Sequence, residues 1–428
     1  MKSENNLLKV LVVCQHFYPE NFRINDECFE LAKRGHNITV LTGLPNYPKG
    51  KIYPEYKHRK NRRQVINNVT IERSFLVGRG SSLFMMALNY LSFTVLGSFK
   101  ALSLKDDFDV VYAYQLSPVT MTWPGIAVKW KQKIPLVIHC LDQWPISLTT
   151  GPIERGSAIY EIMKKISKWT YDQADLITIS SKSFKKYFEK EHNITESKKG
   201  LIYRPSYAES VYENVGYEEN DYFDLMFAGN IGPAQSCETI IECANLLKQY
   251  ETIRFHFVGD GLSCQNCKDL AKEYGLDNVF FHGFHNIDDM ADYYRMADAL
   301  LITMQDNEVV NSTLPAKIQS YMLAGKPIFG AISGEVKNTV KEADCGACVS
   351  SGDYAGLAEI ILENYQNKDA LRLWGNNGYK YYKENFEKEV CLDQIEDSLK
   401  EASRKRLNED NKKQKFLRRN TRIWKKLQ

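Results

Sequence analysis

Several nucleotide and nucleic-acid signatures are absent from this sequence of 428 residues. It contains neither Gly-x-Gly-x-x-Gly nor a phosphate loop ending in Gly-Lys-Ser or Gly-Lys-Thr, which disfavours dinucleotide-dependent oxidoreductases and P-loop enzymes. It also has no helix-turn-helix, zinc-finger or aromatic RNA-platform signature, so we expect no nucleic-acid partner. The N-terminus leads into an apolar strand without a signal peptide, so we expect a cytoplasmic protein.

The ten cysteines are scattered, mostly in apolar segments, as is typical of reduced cytosolic thiols. Two pairs, Cys264/Cys267 and Cys345/Cys348, could together supply four thiolates to a zinc ion. Their separation is much longer than in compact zinc ribbons, and each pair lies where a helix or strand is expected. We therefore predict no metal site and keep zinc as the minor alternative.

The net charge of +3 conceals a strong asymmetry. Residues 1–200 carry 29 Lys/Arg and 18 Asp/Glu (+11), residues 201–400 carry 16 and 32 (−16), and residues 401–428 carry 11 and 3 (+8). A basic first half and a basic tail over residues 405–428 indicate contact with an anionic surface. We expect a peripheral protein on the inner face of the cell membrane; the alternative for the tail is a solvated segment.

Residues 80–99 contain no charged side chain, and their number approaches that of a membrane span. Five serines and threonines, Asn89 and Gly97 interrupt the segment. We expect a helix that is buried or faces an interface, rather than one that crosses a bilayer.

Short apolar strands alternate with helices along the whole chain, which indicates parallel sheets covered by helices. Strands are expected near residues 8, 37, 109, 135 and 175, and the pattern starts again after residue 205. We therefore predict an α/β protein of two Rossmann-like, doubly wound domains, residues 1–205 and 206–380, that face a central cleft. Ligands should bind at the carboxyl ends of the strands.

Polar loops follow three strands of the predicted first domain. The first loop contains Arg23, whose planar fork suits a phosphate, although an ion pair with Glu20 or Asp26 is the simpler alternative. The loop after the second strand is rigid, with a polar edge. After a later buried strand, Asp142 beside Trp144 could accept a proton or bind sugar hydroxyls, or it could cap the next helix.

In the second domain, two glycines separate a strand from a helix, where backbone N–H groups can approach an anion closely. Further along, a loop with Pro315 and Lys317 enters a short apolar helix that stops at a Gly-Lys-Pro turn. Loop, helix start and lysine together predict an anion site. The alternative is an ordinary helix with a solvated lysine.

Five segments, taken as a set, resemble the family-4 glycosyltransferases of the GT-B fold. They are Phe-Tyr-Pro-Glu-Asn-Phe-Arg-Ile-Asn-Asp, Leu-Thr-Gly-Leu-Pro-Asn-Tyr-Pro, Phe-Ala-Gly-Asn-Ile-Gly, Val-Gly-Asp-Gly and Pro-Ala-Lys-Ile-Gln-Ser-Tyr-Met-Leu-Ala-Gly-Lys-Pro. Within that family they are most similar to the N-acetyl-L-fucosamine-transferase-like branch of O-antigen and capsule assembly. The resemblance implies a retaining, metal-independent transfer without a cofactor. It also implies that residues 381–404 cross back onto the first domain.

By this resemblance the second domain holds a UDP-sugar, with an N-acetylated amino or deoxy sugar, and the first domain holds a lipid-linked saccharide acceptor. The expected catalytic residues are Asp142, Arg23 and Lys317. The expected donor-binding residues are Gly229, Asn230, Gly232, Gln235, Arg204, Asp260, Gly283, Pro315 and Ser320. The expected acceptor-binding residues are His16, Glu20, Asn46 and Trp144.

The sequence departs from the family pattern where the donor diphosphate would be neutralised. Ser312 and Ser320 stand where family-4 enzymes commonly have two glutamates, and Asn230 and Gln235 stand where they have arginine and lysine. Two alternatives to a transferase (EC 2.4) therefore stay open. One is a UDP-sugar epimerase or hydrolase of the same fold, and the other is a non-catalytic, membrane-associated scaffold.

Overall fold

In a computed structural model, residues 7–213 and 215–406 are described, and the chain divides into two α/β units. The first unit comprises the described residues of Met1–Ser180, Lys185–Arg204 and Leu392–Gln428, and the second comprises Ser181–Phe184 and Pro205–Cys391. The chain leaves the first unit after Arg204 and returns to it at Leu392. The boundaries predicted from the sequence were a first domain that ends at residue 205 and a return that begins at residue 381. Most of the predicted basic tail, residues 407–428, lies outside the described residues.

The first unit contains an eight-stranded sheet with the order β3-β4-β2-β1-β5-β6-β7-β8. Its strands are β1 (Lys9–Val13), β2 (Asn37–Thr42), β3 (Arg63–Ile66), β4 (Val69–Arg73), β5 (Val110–Gln115), β6 (Leu136–Cys140), β7 (Leu176–Ile179) and β8 (Leu201–Tyr203). All neighbours are parallel except β3 and β4, which form a hairpin at Asn67 and Asn68. Both asparagines have positive φ, as a two-residue hairpin turn of the I′ type requires.

Helices cover this sheet because its central strands are apolar on both faces. They are α1 (Arg23–Lys33), α2 (Leu83–Ser103), α3 (Trp123–Gln132), α4 (Ala158–Asp172), α5 (Phe184–His192) and α6 (Glu196–Lys199), with short 3₁₀ helices at Pro54–Tyr56, Val119–Thr122 and Ile146–Thr150. A last helix over residues 388–406 brings Leu392, Ile395 and Leu399 into the core of this unit. The last helix therefore completes the first unit.

The second unit contains a six-stranded, fully parallel sheet with the order β11-β10-β9-β12-β13-β14. Its strands are β9 (Phe223–Ala228), β10 (Ile253–Val258), β11 (Val279–Gly283), β12 (Ala299–Thr303), β13 (Ile328–Ala331) and β14 (Gly346–Val349). Its helices are α7 (Glu238–Leu246), α8 (Cys264–Glu273), α9 (Met290–Met296), α10 (Glu308–Ser312), α11 (Lys317–Leu323), α12 (Glu335–Ala343), α13 (Tyr354–Asn364) and α14 (Lys368–Asn385), with 3₁₀ helices at Ser210–Tyr212, Pro233–Gln235 and Ile287–Asp289. The predicted α/β organisation with two doubly wound sheets is confirmed.

The strand orders explain where polar loops collect in each unit. Strand β1 lies between β2 and β5, and β9 lies between β10 and β12. The chain winds in opposite directions on the two sides of such a strand, which leaves a crevice beyond its carboxyl end. The loops that follow β1 and β9 open into these two crevices, so the fold places both predicted loops at favourable ligand sites.

Candidate active site

Three glycines fix the backbone at the carboxyl edge of the second sheet. Gly259 has φ +143°, and a Cβ added to it would lie 1.9 Å from the carbonyl oxygen of Gly229. A Cβ on Gly261 would lie 2.4 Å from the carbonyl oxygen of Ile231. The loops after β9 and β10 are therefore packed backbone against backbone, and no side chain fits between them.

Hydrogen bonds tie these loops together. The N–H of Gly229 donates to Val258 O at 2.8 Å, and the N–H of Gly259 donates to Gly283 O at 2.8 Å. The N–H of Ile231 donates to Asp260 O at 2.9 Å. We expected the glycines to offer N–H groups to an anion, but the N–H of Gly229 is already engaged. In the structure these glycines allow the neighbouring loops to pack closely against each other.

Lys317, the first residue of α11, points at this glycine turn. Its Nζ lies 3.5 Å from the position that a Cβ on Gly229 would occupy and 3.7 Å from the ring centroid of Phe227. The residue as a whole is partly exposed, but its Nζ is buried and, among the residues that the structure describes, has no hydrogen-bond partner. An ammonium enclosed without an acceptor is costly unless a ligand supplies one.

Burial lowers the pKa of Lys317 from its ordinary value of 10.5 to about 8, and the nearby Cys237 opposes this shift. The amine is therefore largely protonated at pH 7 and ready to meet an anion. Perturbed groups of this kind concentrate at functional sites, which agrees with the predicted role of Lys317.

Asn230 and Gln235 lie together beside the same turn. The side-chain amide of Asn230 donates to Oε1 of Gln235 at 3.2 Å, and the hydroxyl of Thr303 donates to the backbone carbonyl of Gln235 at 2.7 Å. Two neutral side chains thus occupy the rim of the loop where the family has two basic ones. In the turn itself, Lys317 is the cation that faces Gly229.

The two serines at the positions of the family glutamates donate hydrogen bonds to backbone carbonyls of their own helices. The hydroxyl of Ser312 donates to Val309 O at 2.8 Å, and that of Ser320 donates to Lys317 O at 2.9 Å. Ser320 is buried just behind Lys317, at the carbonyl of that residue. Pro315 precedes the helix, and its carbonyl accepts a hydrogen bond from the N–H of Ile318.

A second buried lysine in this unit, Lys326, has a different environment. Its Nζ donates to Ala297 O at 2.5 Å and lies 3.5 Å from the ring centroid of Tyr217. Burial lowers the pKa of Lys326 to about 7. A cavity of about 360 Å³ nearby is lined by Tyr217, Asp298 and other mostly charged residues, and none of the predicted donor residues lines it. The Nζ of Lys326 therefore has a backbone acceptor within the fold, whereas the Nζ of Lys317 has none among the described residues.

In the first unit, Glu20 joins the loops that follow β1 and β2. Its Oε2 lies 3.0 Å from Nδ1 of His16, and its Oε1 accepts the backbone N–H groups of Asn46 at 2.7 Å and Tyr47 at 2.6 Å. His16 stacks on Phe22 with 5.1 Å between ring centroids. Three residues predicted to bind the acceptor therefore form one hydrogen-bonded cluster. Its buried carboxylate orients the histidine ring.

Asp142 lies in a second cluster at the same edge of the first sheet. The hydroxyl of Ser117 donates to Oδ2 of Asp142 at 2.7 Å, and the indole Nε1 of Trp144 donates to Oγ of Ser117 at 3.0 Å. Burial raises the pKa of Asp142, opposed by these bonds from Ser117. The predicted helix-cap alternative does not describe the carboxylate, because its partner is a side chain of another loop. Trp144 is itself buried.

The two predicted arginines both lie close to a buried glutamate, Glu27 of α1. Arg23 is the first residue of α1 rather than a loop residue, and its charge helps to hold down the pKa of Glu27, which burial raises. Arg204 is only 2% exposed; its guanidinium contacts the hydroxyl of Tyr112 and lies 3.5 Å from Glu27. Arg204 belongs to the first unit, whereas the donor was assigned to the second. Its predicted donor role would require it to leave this ion pair.

No group of three or more His, Cys, Asp and Glu residues placed to hold a metal ion occurs within residues 7–213 and 215–406. Burial raises the pKa of all four thiols of the two cysteine pairs. Cys264 and Cys267 begin α8 and pack into the core of the second unit.

Sequence reasoning missed three residues that shape these clusters: Phe227 beneath the lysine, Cys237 near it, and Ser117 between Asp142 and Trp144. Phe227 opens the Phe-Ala-Gly-Asn-Ile-Gly segment, in which roles were predicted only for the glycines and Asn230, and Cys237 lies two residues after Gln235 without a functional pattern of its own. Ser117 precedes a proline in a polar loop after β5, and a survey of every strand end would have included it.

Comparisons with known proteins bear on the class and the fold of the chain. A sequence profile described as "Glycosyl transferases group 1" matches residues 213–381, and one described as "Glycosyltransferase Family 4" matches residues 23–205. The chain is a glycosyltransferase. A curated relative, the putative colanic acid biosynthesis glycosyl transferase WcaI of Escherichia coli K12, is 23% identical over 339 residues, which cover 74% of this chain and 82% of WcaI.

Solved structures of low sequence identity share the GT-B fold of this glycosyltransferase. Sucrose-phosphate synthase from Thermosynechococcus elongatus superposes with a TM-score of 0.71 at 14% identity, covering 92% of this chain and 98% of that protein. HepE from Anabaena, in complex with UDP, gives a TM-score of 0.68 at 15% identity, covering 92% and 100%. The predicted GT-B fold and glycosyltransferase class are confirmed.

Proposed function

We propose that this glycosyltransferase moves a sugar from a UDP-sugar to a lipid-linked saccharide during the synthesis of a cell-surface polysaccharide such as capsule or O-antigen. The observation that carries the proposal is the buried Nζ of Lys317, which faces Gly229 at the carboxyl edge of the second sheet without an acceptor. A diphosphate oxygen would complete the hydrogen bonding of this ammonium.

The donor class is supported by relatives rather than by a bound ligand. HepE, which shares the fold, has been solved with UDP and with UDP-glucose, and WcaI is named for the synthesis of colanic acid. The resemblance to the N-acetyl-L-fucosamine-transferase-like branch supports an N-acetylated amino or deoxy sugar as the transferred group. We assign the donor to the second unit and the acceptor to the first.

The proposed chemistry retains the anomeric configuration and needs no metal or enzymatic nucleophile. The bond between the anomeric carbon and the diphosphate oxygen breaks, and the acceptor hydroxyl attacks from the same face. The proton of that hydroxyl passes to the departing phosphate. Lys317 would stabilise the charge that develops on the leaving diphosphate, which is the largest contribution expected of a protein in such a reaction.

The first-unit clusters would then position the acceptor. His16 is oriented by Glu20, and Asp142 is held by Ser117, so both polar groups are fixed before an acceptor arrives. Groups that are already fixed lower the entropy lost when the acceptor is positioned. This positioning is the second expected source of rate enhancement, after stabilisation of the leaving diphosphate.

Incubation of the purified protein with labelled UDP-sugars, with and without membrane lipid, tests the proposal. Acceptor-dependent transfer to a lipid product would support it. Turnover without lipid would favour a UDP-sugar epimerase or hydrolase instead. Absence of both turnover and UDP binding would favour a non-catalytic scaffold, and the Lys317→Met variant is the control for turnover at this site.

A further inference from the structure

Helix α2 is unusual because its exposed face is more apolar than its buried face. The exposed side chains Phe84, Leu91, Val95, Phe99 and Leu102 recur every three to seven residues and form one stripe, about 27 Å long at 1.5 Å per residue. Phe84 is 75% exposed, Phe99 68% and Leu91 60%. A helix that is apolar all round is normally enclosed, so this stripe needs an apolar environment outside the protein.

The buried face of α2 is tied to the fold by polar contacts. Asn89 accepts a hydrogen bond from Gln15 at 2.7 Å and donates to Val77 O at 2.5 Å. Thr94 donates to the hydroxyl of Thr120 at 3.0 Å, and Gly97 packs against Pro124. These hydrogen bonds, together with Phe93 in the core, would be lost if α2 turned its apolar stripe inward. The helix is also the one candidate membrane span among the described residues by length and composition, with 28% of that window buried.

Two further helices of this unit carry exposed apolar side chains, and α3 lies beside α2, where the Nζ of Lys131 donates to Leu102 O at 2.8 Å. Trp130 of α3 is 57% exposed and contacts Trp169 of α4 with 5.9 Å between ring centroids. On α4, Ile159 and Ile162 are each 57% exposed and lie on the same stripe as Trp169. Tryptophans of this kind favour the boundary between lipid and water. We call the exposed stripe of α2 together with Trp130 and the α4 stripe the apolar face.

Charge identifies what covers the apolar face. Helices α2, α3 and α4 together carry six lysines and two acidic residues. Four of the lysines pair with carboxylates, Lys100 with Glu72, Lys129 with Asp175, Lys164 with Glu191 and Lys168 with Asp172, whereas residues 1–200 as a whole carry a net charge of +11. Lys165 and Lys168 flank the α4 stripe, and both are exposed. An apolar face on the positively charged half of the chain matches a bilayer with anionic headgroups better than a second copy of this chain, because two such faces would place like charges against each other.

We propose that the apolar face, rather than the basic tail alone, docks the protein on an anionic lipid bilayer. The helix lies in the surface of the bilayer, with Phe84, Leu91 and Phe99 in the acyl region and the lysines at the headgroups. This inference extends the proposed function by naming the surface that brings the enzyme to a lipid-linked acceptor. The vesicle test below does not depend on turnover.

Flotation with vesicles of phosphatidylcholine, with and without phosphatidylglycerol, measures docking directly. We expect the full chain to float with the anionic vesicles, and the triple variant Phe84→Ser/Leu91→Ser/Phe99→Ser to bind at least about ten-fold more weakly. The matched control is Leu262→Ser/Phe284→Ser, which removes side chains that are 89% and 74% exposed on the second unit. The control should bind as the parent does.

Further measurements make the outcome unambiguous. UDP binding and circular dichroism should be unchanged in the triple variant, so a failure of the proposed function would be seen separately from a failure of docking. Truncation after residue 406 should leave most of the vesicle binding. If the truncation abolished vesicle binding, the proposal would be overturned and the basic tail would be the membrane-binding element. Equal flotation of parent and triple variant would also overturn it. So would sedimentation of the lipid-free parent as a dimer that the triple variant abolishes, which would assign the apolar face to self-association.

Discussion

Replacing Lys317 by methionine should stabilise the protein and nearly abolish its activity. Methionine is close to lysine in length and volume but has no ammonium. In the ligand-free protein that ammonium is buried without an acceptor, and its pKa falls from 10.5 to about 8. Since each pKa unit corresponds to about 1.4 kcal/mol, the charged lysine costs the folded state about 3 kcal/mol as an upper limit.

The direction of the pH dependence follows from the same values. The pKa of Lys317 is lower in the folded protein than in the unfolded chain. The charged lysine therefore destabilises the folded state fully below about pH 8, and this destabilisation disappears as the pH rises towards 10.5. Urea unfolding should therefore show the largest advantage of Lys317→Met near pH 7 and none above about pH 10.5. Lys317→Ala is the less suitable variant for this comparison because it also leaves a cavity.

Catalysis should change in the opposite direction. Loss of one charge contact to a leaving diphosphate costs about 2–4 kcal/mol of barrier, or roughly 30- to 1,000-fold in turnover at saturating donor. Calorimetry of UDP binding near pH 8.5 should show proton uptake by the parent and less by the variant, because an anion raises the pKa of the lysine. A variant that retains near-normal turnover, or binds UDP with unchanged proton uptake, would refute the assignment of Lys317 to the donor diphosphate.

Three further outcomes test other parts of the site. Gly259→Ala should destabilise the second unit by about 2 kcal/mol or more in urea unfolding, since its Cβ would meet Gly229 O at 1.9 Å; Gly275→Ala, with positive φ but open space, is the matched control. Asp142→Asn should reduce transfer while UDP affinity is kept, and a parallel loss of UDP binding would remove Asp142 from the acceptor side. EDTA should leave the rate unchanged; loss restored by magnesium or manganese would contradict a metal-independent mechanism.

The alternation of strands and helices predicted the fold because the central strands are apolar on both faces and leave one arrangement, parallel sheets covered by helices. Boundaries were less accurate. Helix α1 begins at Arg23, which was predicted to lie in the preceding loop, since its N-cap, Phe22, has no polar side chain that could mark the start. The hairpin β3–β4 was missed, although its Asn67-Asn68 turn is a recognisable signal.

The site could be predicted only where one residue lies near others in sequence or at the same sheet edge. Glu20 and His16 are four residues apart, and the structure joins them. Arg204 shows the limit of this reasoning: nothing local indicates that its partner is Glu27, 177 residues earlier, inside the first unit. Long-range pairs of buried charges depend on tertiary packing, so a basic residue after a strand looks the same whether it meets a ligand or a carboxylate.

The two hydrogen bonds of Asn89 also have a mechanical consequence. Through Gln15 they connect α2 to the residue immediately before His16, and through Val77 they connect it to the chain that follows β4. Hydrogen bonds weaken steeply when stretched by a few tenths of an ångström beyond their usual length. A force that shifts α2 along its axis must therefore either break these bonds or displace residue 15, and with it the histidine ring that Glu20 orients. A displacement of α2 would therefore be transmitted through Gln15 to the position of His16.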